Sequence, residues 1–316
     1  MALGLCVVIA LIAIEGAGTI LSLLSRAGWI LLLLVPLQVF PLFLDAVGWR
    51  VLILARVRLP MLFLIASIRQ AINRLLPVAN VGGDLVGIRL LTQQGVDGTT
   101  ATASVIIELL LVLVAQYLFV VLGVICLLER TENAHVIQAL ALGLTACLPL
   151  LVLMIVVLRR GQVFLRVENL AKRLFRRWLD GERSLDHGAR LDAKIRETFS
   201  SHTRTLQALG WQFAGYVVGS SETWFALRWL GHPVSVADAL VLESFTQAAK
   251  SLLFMVPGAL GVQEAGLIGS GLLLGLGSDV ALALSLAKRM REVLFGLPAL
   301  AAWPWLEGRR IVLHDA

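Results

Sequence analysis

Six runs of nearly unbroken apolar sequence dominate this chain, at about residues 2–24, 28–49, 100–128, 135–158, 206–230 and 280–306. Each is long enough, at about 20 residues or more, for a helix to cross the roughly 30 Å hydrocarbon layer of a bilayer. Charged residues are 15% of the whole and hydrophobic ones 58%, against about 25% and 45–50% in soluble domains. The mean hydropathy of +0.86 agrees. The chain therefore reads as an all-α polytopic membrane protein. Its first basic residue is Arg26, so the run 2–24 lacks the basic start of a cleaved signal peptide and is expected to remain as a span.

Two further apolar stretches, about 59–92 and 236–277, differ from the six. Each is broken near its middle by Gly and Pro and carries several ionisable residues. Between Arg159 and Arg204 stand 12 Lys/Arg against 6 Asp/Glu, a surplus equal to the whole net charge of +6. Such a block beside a span marks the cytoplasmic face. The expected organisation is a first membrane half, 1–158, a basic amphipathic linker, 159–204, and a second half, 205–316. The linker is expected to lie against anionic inner-leaflet lipids through a helix containing Val163, Leu165, Leu170, Leu174, Phe175 and Trp178. The basic block is not expected to bind nucleic acid.

Counting outward from that anchor, segment 59–92 begins and ends inside and segment 236–277 begins and ends outside. The charge bias thus predicts about six full spans plus two broken or re-entrant helical hairpins of opposite sense, with both termini cytoplasmic. The other count treats each half of a broken segment as a full span. Residues 238–256, for instance, would cover about 28 Å as a helix.

The two broken segments resemble each other. Aligned on Gln70 and Gln247, they share Gln-Ala-x-x-x-Leu-Leu and then reach a glycine-containing turn and an acid: Pro77-Val-Ala-Asn-Val-Gly-Gly-Asp84 and Pro257-Gly-Ala-Leu-Gly-Val-Gln-Glu264. Pro77 and Pro257 lack an N–H and end the preceding helix. Gly82, Gly83, Gly258 and Gly261 permit backbone conformations closed to larger residues. Unwound backbone at membrane depth survives only against protein or a wet cavity, and inverted repeats with broken helices are the architecture of many secondary transporters. The turns could hold a polar or anionic headgroup, or could be breaks that merely pack the repeats together.

A charge at mid-membrane costs about 2.5–3.5 kcal/mol, yet this chain carries Arg69, Arg74, Asp84, Glu108, Glu222, Glu243, Lys250, Glu264, Lys288, Arg289, Arg291 and Glu292 in its apolar segments. Arg69 and Asn73, and Gln70 and Arg74, are spaced i, i+4. Glu243, Gln247 and Lys250 share one face, as do Lys288, Arg291 and Glu292. The expectation is a polar cavity lined by both broken segments and the final span, with Asn73 and Gln263 among its neutral contacts. Asp45 is expected near a helix end, facing headgroups.

Cys6, Cys126 and Cys147 lie in apolar runs without a CxxC pair, and the five histidines are scattered. No disulfide framework, metal site or cofactor is expected. Nucleotide-binding and hydrolase motifs are absent from the sequence, and the protein is not expected to be an enzyme.

At these motifs the chain resembles the lysylphosphatidylglycerol synthase transmembrane, flippase-like superfamily, and within it the hopanoid-biosynthesis-associated branch. The residues carrying the likeness are Leu76-Pro77, Gly82-Gly83-Asp84 and Arg89 in the first half. In the second they are Trp224 through Gly231, Pro257-Gly258 with Leu260 through Glu264, and Ala287 through Glu292 before Gly296-Leu297-Pro298. One departure stands out: Glu108 is followed by Leu109, where many members of the wider superfamily carry Glu-Arg and a later acid. The resemblance implies a lipid translocase or lipid-handling protein of the bacterial inner membrane, for hopanoids or related polyprenyl-derived lipids. Asp84 and Glu264 would meet a headgroup hydroxyl or amine, or couple protons, while Arg74, Lys250, Lys288, Arg289 and Arg291 would balance charge or hold a phosphate. Phospholipid flipping, a non-catalytic partner of lipid-biosynthesis enzymes, and a headgroup enzyme with Glu264 as acid or base are the other classes.

Overall fold

The computed structural model describes residues 17–53, 57–76, 81–130, 134–160, 165–166, 187–252, 259 and 261–308. Pro77, Pro257, Gly258 and most of the expected linker helix lie outside the described residues. Among those described, the chain is helical and contains no strand. The helices are α1 (Ala17–Ala27), α2 (Leu34–Leu52), α3 (Leu59–Leu75), α4 (Gly82–Gln93), α5 (Gly98–Leu128), α6 (Ala134–Arg160), α7 (His187–Ser200), α8 (His202–Trp229), α9 (Val236–Leu252), α10 (Val262–Leu273) and α11 (Ser278–Gly308). A 3-10 turn, Gly28–Leu33, joins α1 to α2. The boundary expected between the first two runs is thus a change of helix type at Gly28 (φ +58°).

Ser22–Leu52 and Gly98–Leu128, each 31 residues, are long and apolar enough to cross a membrane, and Leu142–Leu158 is a shorter apolar helix. The expected spans 206–230 and 280–306 coincide with α8 and α11, of 28 and 31 residues. Their charges lower their hydropathy, and several of those charges point inward: Glu222, Lys288, Arg291 and Glu292 are all buried. Leucines occupy the outside instead, Leu109, Leu113 and Leu118 of α5 and Leu142, Leu150 and Leu153 of α6 being exposed. Apolar outside and charged inside is the distribution a hydrocarbon solvent favours.

The internal repeat extends well beyond the shared motif. Helices α3, α4 and α5 contain 17, 12 and 31 residues, and α9, α10 and α11 contain 17, 12 and 31. Both short helices stop in the same way. Gly95 and Gly275 adopt positive φ, +86° and +77°. Val96 and Leu276 donate back to the Leu91 and Gly271 carbonyls, at 3.3 and 2.9 Å, while Gly95 and Gly275 donate to Thr92 and Leu272. This is the Schellman termination, which needs a residue tolerating the left-handed region. The entries are capped too: Asp97 accepts from Thr100 N at 3.0 Å before α5, and Ser235 and Asp238 cap α9 reciprocally.

The repeats interlock. Helix α3 packs on α4, and α9 packs on α10. The long helix of each unit then lies on the first helix of the other, α5 on α9 and α11 on α3, while α2 and α8, which precede the two units, form an extensive interface. Glycines permit the close approaches. A Cβ on Gly87 would strike the Arg69 side chain, and one on Gly266 would lie 3.2 Å from Thr246 Cα. Under the Gln70–Gln247 alignment Arg69 and Thr246 are equivalent positions. Helix α7, within the basic linker, buries Ile195 and Phe199 in a cluster with Ala103, Ile107 and Leu110 of α5. That end of the linker is thus part of the folded body.

Gly95→Ala and Gly275→Ala are expected to cost about 1–2 kcal/mol each, the penalty of left-handed backbone for an L-residue. Unfolding in detergent should show similar losses at the two positions, because the two terminations are equivalent.

Candidate functional site

Ionisable side chains from both repeats converge in the interior, and most of them are paired. In the first unit, Arg69 of α3 donates through Nη2 to Asp84 Oδ1 and through Nη1 to Glu108 Oε2, both at 2.7 Å. Its guanidinium lies 4.3 Å from the centre of the Trp49 ring, and Trp49 Nε1 donates to Ser104 Oγ at 3.3 Å. Asn73, one turn along α3, accepts from Gly83 N at 2.8 Å, occupying one of the orphan amides at the start of α4.

In the second unit, Glu264 accepts from Gly261 N and Ser285 Oγ, both at 2.8 Å, and from Arg289 Nε at 3.4 Å. Arg289 also donates to the Ala259 carbonyl at 2.9 Å, tying α11 to the broken turn. Gln263 donates to Ser285 Oγ at 2.9 Å. Also within the second unit, Lys288 Nζ of α11 lies 2.6 Å from Glu243 Oε2 of α9, which also accepts from Thr223 of α8 at 2.7 Å. Arg291 Nε donates to Glu222 Oε1 at 3.0 Å and its Nη1 to Gln38 Oε1 at 2.6 Å. Gln38 in turn donates to Gln70 at 3.3 Å.

Gln38, Gln70, Glu222, Glu243, Lys288 and Arg291 of this network surround a cavity of about 170 Å³. Helix α2 contributes Gln38, Pro41 and Asp45, and α3 contributes Gln70 and Arg74. From α8 come Gln212, Tyr216 and Glu222, with Gly215 and Gly219. Glu243, Gln247 and Lys250 line it from α9, and Lys288, Arg291 and Glu292 from α11. The equivalent residues Gln70 and Gln247 both face this space, which places it between the repeats. Three wall groups retain unused polar capacity. Asp45 and Lys250 form no salt bridge among the described residues. The buried Gln212 Nε2 has no hydrogen-bond partner there. A polar atom left unpaired away from water costs about 1–3 kcal/mol, so the wall is suited to a polar occupant.

The family model described as the lysylphosphatidylglycerol synthase TM region matches residues 1–299. The chain belongs to this family. No curated protein and no solved structure matches it. Membership makes the chain a membrane protein and ties its role to membrane lipids.

In this lysylphosphatidylglycerol synthase TM-region protein, the residues expected from sequence fall into two groups. Arg74, Glu243, Lys250, Lys288, Arg291 and Glu292 line the cavity. Asn73, Gly83, Asp84, Glu108, Gly261, Gln263, Glu264 and Arg289 are not among its lining residues. Their contacts secure the two hairpins and α11. Gly82 opens α4. Arg74 and Arg289 both reach Glu292, at 3.9 and 3.4 Å, which links the second group to the first.

Asp45 corrects the expectation that it faces headgroups. It lies two turns before the end of α2, on the face carrying Gln38, Pro41 and Trp49, and Gly215 leaves room for it: a Cβ there would stand 2.6 Å from Asp45 Oδ1. Gln38, Gln212, Tyr216 and Gln247 also join the wall. Their signal was the spacing of neutral polar residues in apolar helices. Gln212, Gly215, Tyr216, Gly219 and Glu222 recur at helical intervals along one face of α8.

Arg69→Met would leave Asp84 and Glu108 buried without their cation, an expected loss of about 3–5 kcal/mol. Adding Asp84→Asn and Glu108→Gln should recover much of it. Unfolding in detergent of the single and triple variants measures both.

Proposed function

We propose that this protein moves a membrane lipid between leaflets, the headgroup passing through the polar cavity while the hydrocarbon stays in the bilayer. The carrying observation is the cavity wall, where Asp45, Lys250 and Gln212 retain polar capacity between two interlocked repeats. Opposite charges on facing helices suit a headgroup with hydroxyls or with charges of both signs. No covalent bond changes, so the role is not enzymatic, and the partner is the lipid itself.

The lengths of the helices support a topology of about six full spans plus two re-entrant hairpins in an inverted repeat. Helices α4 and α10 have 12 residues each, or about 18 Å, well short of the roughly 30 Å hydrocarbon layer. Hairpins α3–α4 and α9–α10 would enter from opposite faces and return. In this reading the protein sits in the bacterial cytoplasmic membrane with both termini inside, and the basic stretch 159–204 lies near anionic lipid. Alternate opening of the two sides would carry the headgroup across.

The substrate class proposed is a hopanoid or related polyprenyl-derived lipid, with phospholipid as the second arm of the test. Purified protein in proteoliposomes is expected to exchange reporter-labelled hopanoid between leaflets, and labelled phospholipid more slowly. Asp45→Asn and Lys250→Met should each lower exchange at least tenfold with folding retained, because neither residue closes a salt bridge among the described residues. Preference for phospholipid would replace the substrate. Exchange unaffected by both variants would overturn the cavity route.

A further inference from the structure

The polar cavity has an apolar neighbour that its chemistry does not use. Between α5, α6 and α9 lies a groove of about 440 Å³, lined by Leu113, Val120, Leu144, Leu151, Met154 and Phe245 among others. This is the volume range of sites that enclose small organic ligands. Exposed leucines border it, Leu113 on α5 and Leu150 on α6, so it opens on the lipid-facing surface.

One wall separates the groove from the cavity. On α5, Val112 lines the cavity and Leu113 the groove. On α9, Gln247 lines the cavity while Ala248 and Ser251 line the groove. Gln116 bridges the two helices, donating to the Gln247 carbonyl at 2.8 Å and to Ser251 Oγ at 2.5 Å, and it accepts from Tyr216 Oη at 3.3 Å. Tyr216 is itself a cavity residue. Farther along these antiparallel helices, at Gly123 and Ser244, the crossing is so close that a Cβ on Gly123 would collide with the serine side chain. The pair is thus pinned at one point and latched by glutamine hydrogen bonds at another.

The crossing of α3 and α11, related by the repeat, is built differently. Gly296 stands at the position equivalent to Gln116 and packs on Leu75 and Ala71, where a Cβ would lie 2.6 Å from Leu75 Cδ1. The space there is about 10 Å³. Only the α5–α9 crossing, of these two, combines an adjoining apolar groove with a polar latch.

We propose that the groove between α5, α6 and α9 receives the hydrocarbon chain of the amphiphile whose headgroup enters the polar cavity, with the Gln116 latch as the partition that parts between them. This rests on the cavity being a headgroup site. A single occupant satisfies both spaces only if it is polar at one end and hydrocarbon at the other, and only the α5–α9 helix pair stands between the two spaces.

The test uses the full chain in vesicles of phosphatidylglycerol and phosphatidylethanolamine, doped with a phosphatidylglycerol carrying a diazirine midway along one acyl chain. After illumination, adducts are mapped by peptide mass spectrometry. They are expected to concentrate on groove residues such as Leu113, Cys147 and Leu151. A Cβ on Gly143 meets nothing within 4 Å, so Gly143→Phe should fill the groove without disturbing the fold and cut those adducts about tenfold. Leu142→Phe, at an exposed neighbour, should leave them unchanged. Adducts spread evenly around the helices, or indifferent to Gly143→Phe, would overturn the proposal. Leaflet exchange in Asp45→Asn and Lys250→Met separates the two readings. Exchange that depends on these residues without groove adducts sinks the groove alone. Groove adducts with exchange indifferent to them sink the cavity route and keep the groove as a hydrocarbon site.

Discussion

Lys288 sits in the middle of α11 with its ammonium 2.6 Å from the Glu243 carboxylate of α9, and the architecture is organised around pairs of this kind. A charge carried on a helix through hydrocarbon cannot be hydrated by turning outward, so the helix can settle only with that face against a partner. Glu243, Lys288, Glu222 and Arg291 impose that condition on α8, α9 and α11 together, and Arg69, Asp84 and Glu108 impose it on α3, α4 and α5. Apolar packing against lipid tails discriminates poorly between orientations of a leucine-rich helix. Charge pairing discriminates strongly, because each wrong rotation strands an ion.

The two halves share a backbone plan, and their asymmetries show where they differ. Helix lengths and glycine terminations agree position for position across α4 and α10. The chemistry does not. Arg69 in the first unit is answered by Thr246 in the second, and Glu108 by Lys288. In both units the long helix thus pairs with the helix before the broken turn, Glu108 with Arg69 and Lys288 with Glu243, but with the signs of the charges exchanged. Backbone geometry is shared where glycine and capping require it, whereas the side-chain charges differ between the halves.

Much of this was legible in the sequence. Glycine-broken segments, the shared Gln-Ala-x-x-x-Leu-Leu and the clustered ions located both hairpins and most of the network. Periodicity along a helix says which residues share a face, and the equivalents Gln70 and Gln247 do meet one cavity. What could not be read was which acids line that cavity and which close it off. Asp84 and Glu264 look alike at corresponding turns, yet the Arg69 and Arg289 guanidiniums engage them, and those contacts depend on ångström-scale helix placement. Asp45, two turns before the end of α2, follows the face it shares with Gln38 and Pro41 rather than its nearness to the helix end, and so lines the cavity. The groove beside α6 left no motif at all, since it arises from how far one apolar helix stands from two others.

That distinction bears on how such a protein could work. Arg69, Asp84 and Glu264, which do not line the cavity, are committed to partners within their own unit, and disturbing them should cost stability. The wall residues sit where units meet, on helices whose contacts differ between the two sides: a latch at Gln116, a glycine seam at Gly296. A shift at that seam would leave the hydrogen bonds within each hairpin intact. In the proposed function, conformational change would be confined to that seam, and a bound headgroup would supply the polar contacts that the moving wall gives up.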